Sequence, residues 1–253
     1  MTRYFAELSY NGAKYYGWQR QPGHISVQET LEIAFSTILA EPITILGCGR
    51  TDTGVHARLY FAHFDCQKEL PADFTRRLNK YLNNDIAIHC ITPMPENAHA
   101  RFDAFQRSYE YHMSFRKQPF EQDTCYWYGY VAQPDRELMQ AAASLLLEYK
   151  EFFPFCKTAG AAKTMYCDLT RAEWVFDDAN ERWIFHITSN RFLRGMVRMI
   201  VGMCINVALG KSSLEEIRHA MDTQTQLRRS QSAPPQGLFL TDIKYPYDFL
   251  YKR

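Results

Sequence analysis

Gly47-Cys48-Gly49-Arg50-Thr51-Asp52-Thr53-Gly54-Val55-His56-Ala57 lies between two apolar runs, Ile43–Leu46 and Leu59–Phe64. The runs read as strands, so the stretch between them is a turn between β-elements rather than part of a helix. It holds three glycines, an arginine, an aspartate and a histidine. Chains place glycine where the backbone needs a positive φ or must approach something closely. Asp and Gly are also ordinary turn residues. On residue types alone, Asp52 beside Arg50 is either a turn-stabilising pair or a reactive carboxylate held in place. Two glycine-rich alternatives fail. After Gly47-x-Gly49, Asp52 stands where a dinucleotide fingerprint needs glycine. Gly49 and Gly54 have phosphate-loop spacing, but Val55-His56 replaces Lys-Ser/Thr.

Working outward, Arg3 to Tyr10 reads as a strand that ends at the turn signal Asn11-Gly12. Ser26-x-x-Glu29 is a capping box. It opens a helix whose apolar face is Val27, Leu31, Ala34, Phe35 and Ile38. Pro71 to Leu82 reads as a helix with Phe74, Leu78 and Leu82 inward, and Ile86 to Ile91 as a strand. Beyond a break between Ala98 and Phe105 the same grammar returns. Ser108 to Met113 alternates as a half-exposed strand should. Pro134 to Tyr149 is helical, with Leu138, Ala141, Ala142, Leu145 and Leu146 on one side. Leu169–Phe176 and Arg182–Thr188 form a hairpin through Asp177-Asp178-Ala179-Asn180. Phe192 to Leu209 reads as a long apolar helix carrying Arg191, Arg194 and Arg198 on one face. Ser213-x-x-Glu216 caps a short helix, and Leu238 to Ile243 closes as a strand. The expected fold class is α+β, or mixed α/β, in two subdomains, 1–104 and 105–253.

Hydrophobic residues make up 46% of the 253, enough for a substantial core. No apolar run approaches a membrane span. The first residues, Met1-Thr2-Arg3-Tyr4, lack signal-peptide character. The seven cysteines are scattered, with no zinc spacing. The expectation is a cytoplasmic chain with reduced thiols, no membrane partner and no metal. Net charge is +1, so there is no global footprint of a nucleic-acid binder. Local basic pairs exist at Arg76-Arg77, Arg116-Lys117, Arg191/Arg194 and Arg228-Arg229. Aromatics at 15% supply flat rings suited to base stacking, although most serve the core.

The string Gly49-Arg50-Thr51-Asp52-Thr53-Gly54-Val55-His56-Ala57 resembles the active-site segment of the TruA family of tRNA pseudouridine synthases. Further segments are similar to that family: Tyr16-Gly17-Trp18-Gln19-Arg20-Gln21-Pro22, His99-Ala100-Arg101-Phe102, Arg107-Ser108-Tyr109-Glu110-Tyr111, Met196-Val197-Arg198, and Ala233-Pro234-Pro235-Gln236-Gly237-Leu238. They spread from about Tyr4 to Ile243. The resemblance implies the pseudouridine synthase fold, two similar α/β halves sharing a central, largely antiparallel sheet with helices on the outer face. It implies isomerisation of uridine at positions 38, 39 and 40 of the tRNA anticodon stem-loop by a homodimer.

The resemblance also implies roles. Asp52 is the catalytic residue, Tyr109 stacks on the target base, and Arg198 pairs with Asp52. Arg50 is then available to hold RNA phosphate or to help flip the nucleotide. Arg107 and His56 are candidate substrate contacts. Met199 departs from the asparagine usual after the family's arginine, and Lys150–Phe155 is a weak match to its D-F-S-x-F stretch. The reaction breaks the N1–C1′ bond, turns the uracil and joins C5 to the same sugar carbon. No group is lost and no electron is transferred, so no cofactor is expected. The flipped base leaves its stack at a cost of a few kcal/mol. Ring stacking returns about 1–3 kcal/mol per base. Two other readings stand beside this one. A catalytically idle RNA-binding module would not need Arg50-Thr51-Asp52 intact. A glycoside hydrolase usually needs a second catalytic carboxyl, and none stands out.

Overall fold

The computed structural model describes residues 1–157 and 164–251. The chain forms two compact units, residues 1–106 with 239–253 and residues 107–238. The last strand and the tail thus pack with the first unit, whereas the sequence grouped everything from 105 onward together. The reason is the ladder that β9 (Leu238–Lys244) makes: it runs parallel to β3 (His56–Cys66), with His56 opposite Phe239 and Ala57 opposite Leu240. A partner so distant in the chain leaves no mark in local pattern.

In the first unit, β1 (Thr2–Tyr10) pairs antiparallel with β3 on one side and with β4 (Ile86–Met94) on the other. The two-residue β2 (Leu46–Gly47) is antiparallel to β3. The expected strand Ile43–Leu46 joins no ladder until Leu46. α1 (Val27–Leu39) begins where expected, and Ser26 Oγ accepts the Glu29 N–H at 3.2 Å. Its Val27, Leu31, Ala34 and Phe35 are buried, and Leu39 rather than Ile38 completes the stripe. α2 (Phe74–Tyr81) buries Phe74 and Leu78. Phe35 meets Phe64 and Phe74 edge-on at 5.0 and 5.5 Å, which joins both helices to the sheet.

In the second unit, β5 (Gln106–Ser114), β8 (Arg182–Ser189) and β7 (Leu169–Asp177) form an antiparallel run in that order. The short β6 (Tyr126–Trp127) lies parallel to β5. α3 (Arg136–Leu145) is capped by Asp135 and ends in a 3-10 turn, so the regular helix is shorter than the expected span. Its buried side is Met139, Ala142, Ala143 and Leu145, continued by Leu146 in the 3-10 turn, while Leu138 is exposed. Of the expected stripe, Ala142, Leu145 and Leu146 are buried, while Met139 and Ala143 are buried in place of Leu138 and Ala141. α4 (Met196–Ala208) is buried almost all round. α5 (Leu214–Thr223) carries the full capping box of Ser213 and Glu216. The described strands and helices make a mixed α/β protein with mostly antiparallel pairing, as the sequence implied.

One helix boundary matters for the site. α4 starts at Met196, not Phe192, because Gly195 has φ +71°. A left-handed residue cannot continue a right-handed helix. Arg191 and Arg194 therefore lie on the lead-in segment, and only Arg198 stands on the helix. The expected arginine face is not formed.

Candidate active site

Asp52 is half-buried in the connection that leads from β2 into β3. This connection is packed from below by aromatic side chains. The Tyr60 ring stacks on Trp18 at 4.1 Å, and its hydroxyl donates to the Gly49 carbonyl at 2.6 Å. Tyr10 and Thr51 hydroxyls are 2.9 Å apart. All three rings are buried, so these hydroxyls are sheltered from competing water. The fixed turn continues through Val55 N–H, which donates to the Asp52 carbonyl at 3.1 Å.

A second loop, residues 11–26, lies against the first. Trp18 N–H donates to the Thr51 carbonyl at 3.2 Å, and Gly54 N–H to the Tyr15 carbonyl at 3.3 Å. Gly17 sits at φ +82°, and a Cβ there would stand 2.4 Å from the Thr51 carbonyl oxygen. Only glycine permits that approach. The same loop supplies carbonyls to the first turn of α1: Val27 N–H donates to Gly17 and Gln28 N–H to Trp18. The orphan amides of the helix start thus position the loop that positions Thr51 and Asp52.

Arg50 is exposed, and its Nε donates to the Gln19 amide oxygen at 3.1 Å. His56 begins β3 and is only 1% exposed. Its Nδ1 accepts the Gly12 N–H at 3.0 Å, and its ring stacks on Phe239 at 4.7 Å. Arg58 covers the Phe239 ring at 4.8 Å. Asp52, Arg50 and His56 thus come together within the first unit.

Arg107, Tyr109 and Arg198 belong to the second unit. Tyr109 is half-buried on β5 opposite Ile187, with Phe192 edge-on at 5.1 Å. Tyr111 is fully buried, donates to the Pro234 carbonyl at 2.9 Å, and has its phenol pushed well up by burial. The two tyrosines therefore differ in environment, and only Tyr109 retains exposed ring surface. Arg107 donates to the Asn190 carbonyl at 2.9 Å. Arg198 Nε donates to the Ala233 carbonyl at 2.7 Å, and Ala233 N–H returns a bond to the Arg198 carbonyl. This clasp seats Ala233-Pro234 against α4 and fixes the direction of the Arg198 fork. Among the described residues no cluster of three His, Cys, Asp or Glu has the disposition of a metal site.

Two of the basic pairs meet acids. Arg76 and Arg77 both face Asp73, and Arg228 stands 3.8 Å from Glu216. Lys117 sits over the Trp127 ring at 5.4 Å. Sequence reading gave no role to Tyr10, Tyr60, Gln19, Gln28 or Phe192. Tyr10 and Tyr60 lie within β-patterns, where a core reading accounts for them. The signal available for Gln19 was its place in the Tyr16–Pro22 segment.

A family model for tRNA pseudouridine synthases matches residues 6–103 and 143–246. Those segments contain Arg50, Asp52, His56 and Arg198, while Arg107 and Tyr109 fall between them. The chain is similar to tRNA pseudouridine synthase A of Azobacteroides pseudotrichonymphae, 42% identical over 248 residues, which covers 97% of this chain and 98% of that one. It is 42% identical over 255 residues to the protein of that name from Porphyromonas gingivalis, covering 98% and 99%. The protein of that name from Cereibacter sphaeroides is 35% identical over 254 residues, covering 98% and 99%. The fold and the matched segments define an enzyme of the isomerase class. The chain belongs to the tRNA pseudouridine synthase family. Among the described residues no helix is long and apolar enough to cross a membrane.

Proposed function

We propose that this chain converts uridine to pseudouridine at positions 38, 39 and/or 40 of the tRNA anticodon stem-loop, with Asp52 as the catalytic nucleophile or base. The observation that carries the reading is the Asp52 turn, held by Trp18 N–H on the Thr51 carbonyl and by Val55 N–H on the Asp52 carbonyl. A carboxylate on so constrained a turn is presented at a defined position, which is what attack or proton removal on one atom requires.

Each residue then has a task. Tyr109 offers ring surface on which the flipped uracil stacks. Arg50 reaches from an exposed position toward RNA phosphate, and a guanidinium binds phosphate through paired N–H donors. Arg107 contributes a second cation. Arg198, which the sequence reading assigns to Asp52 as its partner cation, belongs to the same proposal. His56, buried and stacked, contributes through the turn it anchors and through the Phe239 ring. In the chemical step the N1–C1′ bond breaks, the uracil turns, C5 bonds to C1′, the proton on C5 is released, and N1 takes up a proton. The working form is a homodimer in the cytoplasm.

The test is tritium release from unmodified tRNA bearing 5-tritiated uridine, for the wild type and for Asp52→Ala. Release by the wild type alone supports reaction and residue together. Release by both variants removes Asp52 from the chemistry. Release by neither, with tRNA still bound, leaves an RNA-binding module.

A further inference from the structure

We propose that Gln28 is a positioning residue for Arg50, acting through the side chain of Gln19. The inference rests on the reading that Arg50 handles substrate RNA. Gln28 is on the first turn of α1 and only 7% exposed. A buried amide must satisfy two N–H donors and a carbonyl oxygen with two lone pairs. Gln28 satisfies all of them. Its Oε1 accepts from Gln19 Nε2 at 3.0 Å and from the Arg20 N–H at 3.0 Å. Its Nε2 donates to Glu32 Oε1 at 3.1 Å and to the Ile45 carbonyl at 3.0 Å.

These four bonds give the amide one orientation. Turned over, its NH₂ would face the Arg20 N–H, and its oxygen would face the Ile45 carbonyl. The direction is passed on. Because Gln19 gives its NH₂ to Gln28, its oxygen is the atom left to accept Arg50 Nε–H at 3.1 Å. A reversed Gln19 would present donors to a donor. The polarity thus runs from the Ile45 carbonyl through two amides to the guanidinium.

The choice of an amide has a consequence for function. A carboxylate in the place of Gln19 would orient the guanidinium but also neutralise it and compete with phosphate. An amide oxygen orients the fork and leaves its full charge available. A free arginine side chain samples many rotamers, and fixing it costs entropy. Holding Nε in advance reduces what must be lost when RNA arrives. The negative end of the relay is itself held: Glu32 Oε1 also accepts the Ile45 N–H at 3.1 Å, and Arg20 stands 3.7 Å from the same carboxylate.

A merely structural Gln28, tying α1 to residues 20 and 45, predicts something different, and a double-mutant cycle separates the two. Gln28→Met and Arg50→Met are made singly and together. Single-turnover tritium release is measured with enzyme in excess over tRNA, and tRNA affinity is measured alongside. Acting through Arg50, Gln28→Met slows the wild type by roughly tenfold, as misplacement of a positioning group does. In the Arg50→Met background it changes the rate less than about twofold. An equal slowing in both backgrounds overturns the inference and leaves the role of Arg50 standing. An Arg50→Met enzyme as fast as the wild type overturns both. If Gln28→Met unfolds, Gln19→Leu, at a half-buried position, enters the same cycle with the same expected outcomes.

Discussion

Alanine at Gly17 is the sharpest perturbation of the turn that carries Asp52, because the structure contains its own control. Gly17 and Gly23 lie in the same loop at φ +82° and +76°. Alanine in this region costs roughly 1–2 kcal/mol at either site. The surroundings differ. Nothing lies within 4 Å of a Cβ built at Gly23, whereas at Gly17 it would stand 2.4 Å from the Thr51 carbonyl oxygen and 3.1 Å from the Asp52 carbonyl carbon. Ordinary contact begins at 3.4 Å, so one backbone must retreat from the other by 3.4 − 2.4, or 1.0 Å. Overpacking of this kind costs a further 1–3 kcal/mol or so. The retreat acts on the residues that hold the carboxylate. A displacement of about 1 Å at a reacting group lowers a rate by about 10²-fold. Gly23→Ala should therefore lose about 1–2 kcal/mol in urea unfolding and keep its rate of tritium release. Gly17→Ala should lose about 2–5 kcal/mol. Under conditions where it remains folded, it should be slower by about two orders of magnitude. Equal stabilities and equal rates for the two variants would refute the argument that loop 11–26 sets the position of Asp52.

Three further outcomes follow from particular contacts. His63 is 3% exposed and its Nδ1 accepts the Ala100 N–H at 3.2 Å, which requires a neutral ring. Burial first, then the charges of His99 and Arg3, push its pKa down to about 4. The unfolded chain binds this proton near pH 6.5 and the folded chain does not, so the stability involved is present above 6.5 and lost as pH falls toward 4. Between pH 7.5 and 5 the wild type should lose about 2 kcal/mol more than His63→Asn, which retains an acceptor and cannot titrate; equal losses would show that His63 is not the group. Tyr60→Phe removes the 2.6 Å bond to the Gly49 carbonyl and should cost about 1–3 kcal/mol in denaturant unfolding, with slower tritium release because Arg50 and Asp52 follow directly. An unchanged rate would detach that hydroxyl from the site. Ser213→Ala removes the α5 cap and should cost about 1 kcal/mol with no change in rate; a slower enzyme would tie α5 to the chemistry.

Local chemistry made much of this molecule readable in advance. The helix beginning at Ser26 follows from a capping residue and a 3.6-residue stripe, both confined to neighbours in the chain. So do the hairpin β7–β8, the strand β5 (though its burial runs from half-buried to buried rather than alternating) and the cap at Ser213. The turn bearing Arg50, Asp52 and His56 was visible because glycine, arginine and aspartate are contiguous there. The same locality explains the misreadings. An apolar run from Phe192 to Leu209 looks helical throughout, yet one residue, Gly195 at φ +71°, removes Arg191 and Arg194 from the helix. On α3, Met139 and Ala143 are buried in place of Leu138 and Ala141 because the surfaces the helix packs against belong to other elements.

The remaining features depend on residues far apart in sequence. Phe239 covers His56 only because β9 returns to β3, and no local pattern records that ladder. Tyr60 looks like one more strand aromatic until folding brings its hydroxyl to Gly49. Gln28 is ordinary on a helix until Gln19, Glu32 and Ile45 surround it. Periodicity and caps are properties of neighbours, so the chain alone specifies its elements and the turn that bears Asp52. Apart from the local bond between Val55 and Asp52, the supports of that turn join residues far apart in the chain, such as Tyr10 with Thr51 and Gly12 with His56, and such contacts exist only once the chain has folded.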